Sequence, residues 1–196
     1  MGYSTKKICY FDIPGEENTR DALQIAIERA NELGIRTMVV PSTSGKTANL
    51  AAEMIKGTGI SLIIVSHVVG FSTPGVWEFE ASLAEHLRSE GVRIITGTHV
   101  LSGLERAFSA SPKVSGGSRS EAVAEALRRI IAIGLKVAVE CVLIAADQGA
   151  IAVSDEVIAL GGTGSGVDTV CVIRPSHTSR FFDLQVREMV AMPRDR

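Results

Sequence analysis

Short apolar runs of four or five residues alternate along this chain with stretches in which apolar positions recur every three or four residues. Residues 7–11 form a β-prone run that stops at the turn residues Pro14 and Gly15. Leu23, Ile27, Ala30 and Leu33 then repeat at helical spacing, from an expected N-cap at Asn18, with Asp21 three residues on, to a stop at Gly34. Residues 37–40 predict a strand, 47–56 a helix with Ala48, Ala51, Ala52 and Ile55 inward, and 62–65 a second strand. Pro74 marks the first position of a helix reaching about Ser89, and residues 92–96 predict a third strand. Strands this uniformly apolar are buried on both faces. Alternating with helices, they predict a parallel sheet covered on both sides by right-handed crossovers.

The rhythm breaks after residue 100. Residues 102–108 predict a short helix, and 109–117, rich in Ser, Gly and Pro, a mobile surface loop or lid. Ser118 with Glu121 predicts a capping box for a long helical region to about Gln148, kinked or split at Gly134. Residues 156–160 and 169–173 predict two further strands around the glycine-rich loop 161–166. A strand rather than a helix follows these glycines, so the loop reads as a wide hairpin and not as a dinucleotide fingerprint. The run near Ile8 and the tail from Ser176 onward receive no predicted place.

Composition narrows the class. At 196 residues, 45% hydrophobic and 21% charged, one substantial core and a single domain over 1–196 are expected. A net charge of -2, with no basic block longer than two residues, argues against nucleic acid and anionic membrane as partners. Cys9, Cys141 and Cys171 each sit in an apolar run, which predicts buried reduced thiols. The apolar stretch 130–153 is interrupted by Lys136, Glu140 and Asp147 and does not read as a membrane span. A soluble cytoplasmic protein is the expectation. The apolar surplus is compatible with a homo-oligomer, although no stretch specifies an interface.

Chemistry is concentrated where strands end. Ser42 and Thr43 follow one strand, Ser66 and His67 the next, Thr98 and His99 the third, and in a parallel sheet all of these lie on the edge where ligands bind. Ser42, Thr43, Ser44, Gly45, Lys46 and Thr47 form a phosphate-sized loop entering a helix, whose first N–H groups and dipole favour an anion. The stretch is not a Walker A loop, because Val40 stands where that pattern needs glycine. Its plainer reading makes Ser44 an N-cap and Lys46 a solvated side chain. Gly162, Thr163, Gly164, Ser165 and Gly166 let backbone amides approach an anion, or form a flexible turn. His67 and His99 invite metal, acid–base or ligand-contact roles; no third metal ligand has useful spacing, and no metal is expected. Asp12, Glu16 and Glu17 are either acids and bases or carboxylates favouring a helix start.

In this order of parts the chain resembles the C-terminal domain of pyruvate kinases, which carries the allosteric site of that enzyme. There a loop of the form Thr-x-Ser-Gly-(Arg or Lys)-(Ser or Thr)-Ala holds an effector phosphate. Residues 42–48 match it with Ser42 in place of threonine, and 160–169 are similar to the glycine-rich effector hairpin in a shorter form. The resemblance covers 18–173. It implies a three-layer α/β/α fold with a mostly parallel sheet of core order 3-2-1-4-5, counting 37–40 as the first strand, with the last strand antiparallel. Both loops would then flank one crevice. It does not imply pyruvate kinase activity, since the catalytic barrel has no counterpart in 196 residues. Relatives of this kind have been associated with flavin mononucleotide, FMN. The expected ligand is accordingly a phosphate-bearing small molecule, FMN first and a sugar phosphate next, with Phe71 and Trp77 as candidates to line a ring or simply to pack. The alternatives are a flavin-dependent oxidoreductase using His67, His99 and the 100–117 lid, and an interaction or regulatory module without ligand. No nucleophile and base stand at recognisable spacing, which leaves catalysis open.

Overall fold

The apolar runs become strands of one sheet. A computed structural model describes residues 2–111, 113 and 118–195. In it β1 (Cys9–Phe11), β2 (Thr37–Pro41), β3 (Ser61–Ser66), β4 (Arg93–Thr96), β5 (Val157–Gly161), β6 (Thr169–Arg174) and β7 (Gln185–Pro193) lie in the order β1-β7-β6-β5-β2-β3-β4. Only β6 runs antiparallel to its neighbours, so the carboxyl ends of the other six share one edge. The stretch from β4 to β6 is the expected 3-2-1-4-5 core with its last strand reversed. The two chain ends, which had no predicted place, extend it: β7 pairs with β6, and β1 lies parallel beside β7.

Helices cover both faces. They are α1 (Thr19–Leu33), α2 (Lys46–Met54), α3 (Ala81–Ser89), α4 (Gly103–Ala110), α5 (Arg119–Ala126) and α6 (Ile133–Asp147). Side chains alternate along a strand, so Val40 and Ile64 join Leu23, Ala26, Ala48 and Leu87 of α1 to α3 in one core, while Val39 and Ile63 meet α6 in the other. α6 is buried almost all round because it lies across the middle of the sheet; Lys136 and Glu140 are buried with it. Its close approach depends on paired glycines. A Cβ on Gly161 would stand 1.9 Å from the Gly134 carbonyl oxygen, and one on Gly134 2.2 Å from Thr169 Oγ1.

Several boundaries differ from the sequence expectation for local reasons. α1 starts after Asn18, but the Asn18 amide does not cap it: it donates to the Ile13 and Gly15 carbonyls at 2.7 and 3.3 Å and so holds the preceding turn. α3 begins at Ala81 and not at Pro74, because Glu80 is the cap, accepting from the Ser82 and Leu83 N–H groups, while Trp77 and Phe79 use the non-helical approach to pack on the core. Ser118 caps α5 as expected, its Oγ accepting from Glu121 N, but among the described residues the other half of the capping box is not formed, since the Glu121 carboxylate takes the Ser109 hydroxyl instead. The helix then passes through one π-turn, Leu127–Ile131, and breaks at extended Ala132, two residues before Gly134. Cys141 and Cys171 are buried, whereas Cys9 is exposed because β1 is an edge strand. Residues 112 and 114–117 of the expected lid lie outside the described residues. Among the described residues no helix is long and apolar enough to cross a membrane.

Candidate functional site

At the shared carboxyl edge a cleft of about 800 Å³ opens between the loop after β2 and the loop joining β5 to β6. Ser42, Thr43, Ser44, Lys46, Thr47, His67, Gly162, Gly164, Ser165 and Gly166 line it. Gly45 and Thr163 belong to the same loops but are not part of its wall, and Thr98 and His99 lie outside the lining. Strand order is the cause: β2 and β5 are neighbours, so their loops face each other, while β4 is two strands removed from β5's side of β2.

The first loop is shaped as an N-terminus with free donors. Gly45 is the residue before α2, at φ 102, a conformation that residues other than glycine rarely adopt, and a Cβ there would stand 2.7 Å from Leu83 Cδ2 and 2.9 Å from Phe79 Cε1, so those side chains would have to shift. Ser44 is therefore not the N-cap. Buried Ser42 does the capping, its Oγ accepting from Ala48 N at 3.2 Å, and Asn49 N already turns to the Gly45 carbonyl. Among the described residues the N–H groups of Gly45, Lys46 and Thr47 have no acceptor. Lys46 stands exposed beside them, with its Nζ 3.8 Å from Glu16 Oε2.

The second loop is held by Asp168 and Thr19, which the sequence analysis did not single out for a role, and by Glu16 of the acidic cluster. Asp168, fully buried, accepts from Thr163 N at 3.1 Å and Gly15 N at 3.0 Å through Oδ2, and from the Thr169 hydroxyl at 2.9 Å through Oδ1. Thr19 Oγ1 accepts from Val167 N, and Glu16 Oε2 from the Ser165 hydroxyl at 2.8 Å. The turn before α1 thus packs onto the glycine loop, so closely that a Cβ on Gly166 would meet Thr19 Oγ1 at 2.2 Å. This brings Glu16, Glu17, Thr19 and Arg20 into the cleft wall. Of the acidic cluster Asp12, Glu16 and Glu17, the two glutamates line the site.

The two loops, their strand order and the reversed β6 agree with a family comparison. The family model described as pyruvate kinase, alpha/beta domain, matches residues 21–173. The chain belongs to this family. The match ends at Ile173 and begins inside α1, so the pyruvate kinase alpha/beta domain family accounts for both loops and for the strands from β2 to β6. The turn at Glu16 and the strands β1 and β7 fall outside it.

Beyond the matched loops, a polar and aromatic corner forms at the ends of β3 and β4. His67 Nδ1 lies 2.9 Å from Glu78 Oε2, and Glu78 Oε1 accepts from the Ser72 hydroxyl at 2.6 Å. The Ser72 hydrogen bond, followed by that of His67, holds the Glu78 carboxyl below its ordinary pKa. Phe71 packs on His67 with ring centroids 4.0 Å apart and on His99 at 5.3 Å, and Arg106 lies over its ring. Trp77 stacks on Phe79 and donates Nε1–H to Ser66 Oγ. Neither Phe71 nor Trp77 lines the cleft. His99 Nδ1 is 3.3 Å from Glu140, which also takes the Leu101 N–H and the Lys136 ammonium. Burial lowers the pKa of His99 and of Lys136, in each case against the opposing pull of Glu140. The sequence signal for this network was a lysine and a glutamate four residues apart in an otherwise apolar helix, a spacing that places them on one face. Among the described residues no group of three His, Cys, Asp or Glu side chains is arranged to hold a metal ion.

Proposed function

We propose that the cleft binds a phosphate-bearing small molecule, with the phosphate over the first turn of α2. The observation that carries this reading is the set of three backbone N–H groups without acceptors, at Gly45, Lys46 and Thr47, beside the Lys46 ammonium and opposite the glycine loop. Family membership supports it through the loop at 42–48. FMN fits in size, since small-molecule pockets of about 300–1,000 Å³ are ordinary. Ser44, Lys46 and Thr47 would hold its phosphate, and Leu50 and Val137 offer apolar wall to a ring. A bound flavin would supply electron or hydride transfer, the basis of the oxidoreductase alternative.

A sugar phosphate is the second reading, favoured by the wall itself: Thr19, Ser42, Thr43, Ser44, Thr47 and Ser165 place hydroxyl-bearing residues around the cleft, and the two candidate ring-lining aromatics lie outside it. The test is an absorbance spectrum of the purified protein, mass spectrometry of what denaturation releases, and thermal shift with inorganic phosphate, FMN and sugar phosphates. Lys46→Ala should weaken the phosphate ligand by about 10- to 30-fold, the loss of one charge-assisted contact of roughly 2 kcal/mol. Its melting temperature without ligand should not change, because Lys46 is exposed. Unaltered affinity would remove the α2 turn from the site. No stabilisation by any of these ligands would leave the interaction-module reading.

A further inference from the structure

Among the described residues His67 is the one imidazole in the cleft wall, and its geometry is that of an oriented base. Glu78, kept ionised by two hydrogen bonds, can only accept, so the proton shared with His67 sits on Nδ1. The other nitrogen, Nε2, has no partner among the described residues. Phe71 packs on the ring at 4.0 Å, and the His99 ring, 5.4 Å from His67 and 5.3 Å from Phe71, completes a three-ring cluster that restricts its rotation. A base with a free lone pair, positioned by a carboxylate, is the arrangement that general acid–base catalysis uses. The supporting carboxylate has a second tether in Ser72.

The position relative to the α2 turn sets the substrate class. Pro41 pairs with Val65, and Ser42 N donates to the Val65 carbonyl, so His67 leaves the sheet one strand away from the loop at 42–47. With adjacent strands about 5 Å apart, a phosphate over α2 and a carbon at His67 are separated by the length of a short carbon chain, on the order of one to two strand spacings. Nucleophilic chemistry has no thiol here: Cys141 and Cys171 are buried with pKa values pushed up to about 12 by desolvation, and Cys9 lies at the opposite end of the sheet order from β3.

We propose that His67, positioned by Glu78, transfers a proton at the carbon next to the carbonyl of a phosphorylated hydroxycarbonyl compound, an aldose or ketose phosphate, making this cleft the active site of an isomerising enzyme. The proposal rests on the phosphate reading above. In the step, the Nε2 lone pair takes the α-proton, and the C–H electron pair becomes the C=C bond of an enediol. The carbonyl π pair moves onto its oxygen, which takes a proton from water in the cleft. The imidazolium then returns its proton to carbon while a hydroxyl proton passes back to water, so composition is conserved and no oxidant or reductant is consumed.

The test is solvent deuterium exchange followed by proton magnetic resonance, with glyceraldehyde 3-phosphate, ribose 5-phosphate and glucose 6-phosphate as probes in deuterium oxide. The wild-type protein should exchange the α-hydrogen of at least one probe. His67→Gln and His67→Phe, the latter preserving the ring packing, should each lose about 100-fold or more of that rate. Glu78→Gln, altering a positioning residue, should lower the rate while leaving the concentration of probe needed for half-maximal exchange unchanged. Stabilisation of all three variants by inorganic phosphate, equal to wild type, confirms that the fold and the anion end persist. Exchange retained in His67→Phe, or binding of all three probes without exchange in the wild type, overturns the acid–base assignment and leaves the phosphate site standing. Absence of stabilisation by inorganic phosphate and by every probe overturns the phosphate reading itself.

Discussion

Removing the Asp168 carboxylate should loosen two segments at once, and the size of the effect follows from its contacts. The side chain is fully buried, and it is the acceptor for Gly15 N, Thr163 N and the Thr169 hydroxyl. Asp168→Ala leaves these donors without an acceptor. Each buried donor left unpaired costs about 1–3 kcal/mol. Gly15 and Thr163 are half-buried and regain part of this from water, and removing a buried charge returns part of its desolvation cost, so a net loss of about 3 kcal/mol is expected. In a chain of this length that corresponds to a fall of about 6–12 °C in melting temperature. Asp168→Asn is the sharper variant, because it keeps the shape and replaces one oxygen by a donor that faces either the two amides or the hydroxyl; about 2 kcal/mol should be lost. Calorimetry measures both, and amide hydrogen exchange should quicken at Gly15 and Thr163 in particular. If both variants melt within about 2 °C of wild type and those amides keep their protection, the carboxylate is not what joins the turn to the glycine loop.

Glu16→Gln should tighten inorganic phosphate by about two- to five-fold in thermal-shift titration, since the Glu16 carboxylate stands 3.8 Å from the Lys46 ammonium, competes for it and repels a second anion beside it. Lys136→Met should cost about 3–5 kcal/mol in urea unfolding by stranding the Glu140 charge, and adding Glu140→Gln, which keeps an acceptor for Leu101 N, should recover most of it. Burial depresses the His99 pKa below 6.5, so below that pH the unfolded chain takes up a proton which the folded chain refuses. Stability should therefore be complete above 6.5 and fall on acidification down to the folded-state pKa, where it levels. His99→Gln should flatten this part of a stability–pH curve, and an unchanged slope would assign it to other groups.

The core of the fold was legible because it rests on local signals that tertiary contact reinforces. Uniformly apolar runs mark strands buried on both faces, and Gly34 ends α1 in the left-handed conformation, φ 69, that few other residues adopt. Pro74 misled because a favourable first-turn residue is only a local preference, and packing of Trp77 and Phe79 on the core outweighed it. The candidate site was legible in its two loops, where a glycine, hydroxyls and a lysine follow one strand and glycines separate two others. The roles of Glu16, Thr19 and Asp168 were not, since each acts on a partner about 150 residues away or on a loop backbone that composition does not describe.

By itself the sequence determined the layered α/β class, the core strands and the loop at 42–47, because strand burial, helical periodicity and free helix-terminal donors are properties of neighbouring residues. Only the tertiary structure decided that β7 and β1 extend the sheet beyond β6. That extension has a consequence at the site: β1 runs in the common direction, so Phe11 releases the chain at the ligand edge, and Gly15, Glu16 and Thr19 close on the glycine loop. It likewise decided which polar residues of α6 share a buried network with His99, and which histidine faces the cleft. These are contacts between distant segments, selected by which strands become neighbours and by the mutual fit of surfaces such as Gly134 on Gly161, and no local pattern encodes them.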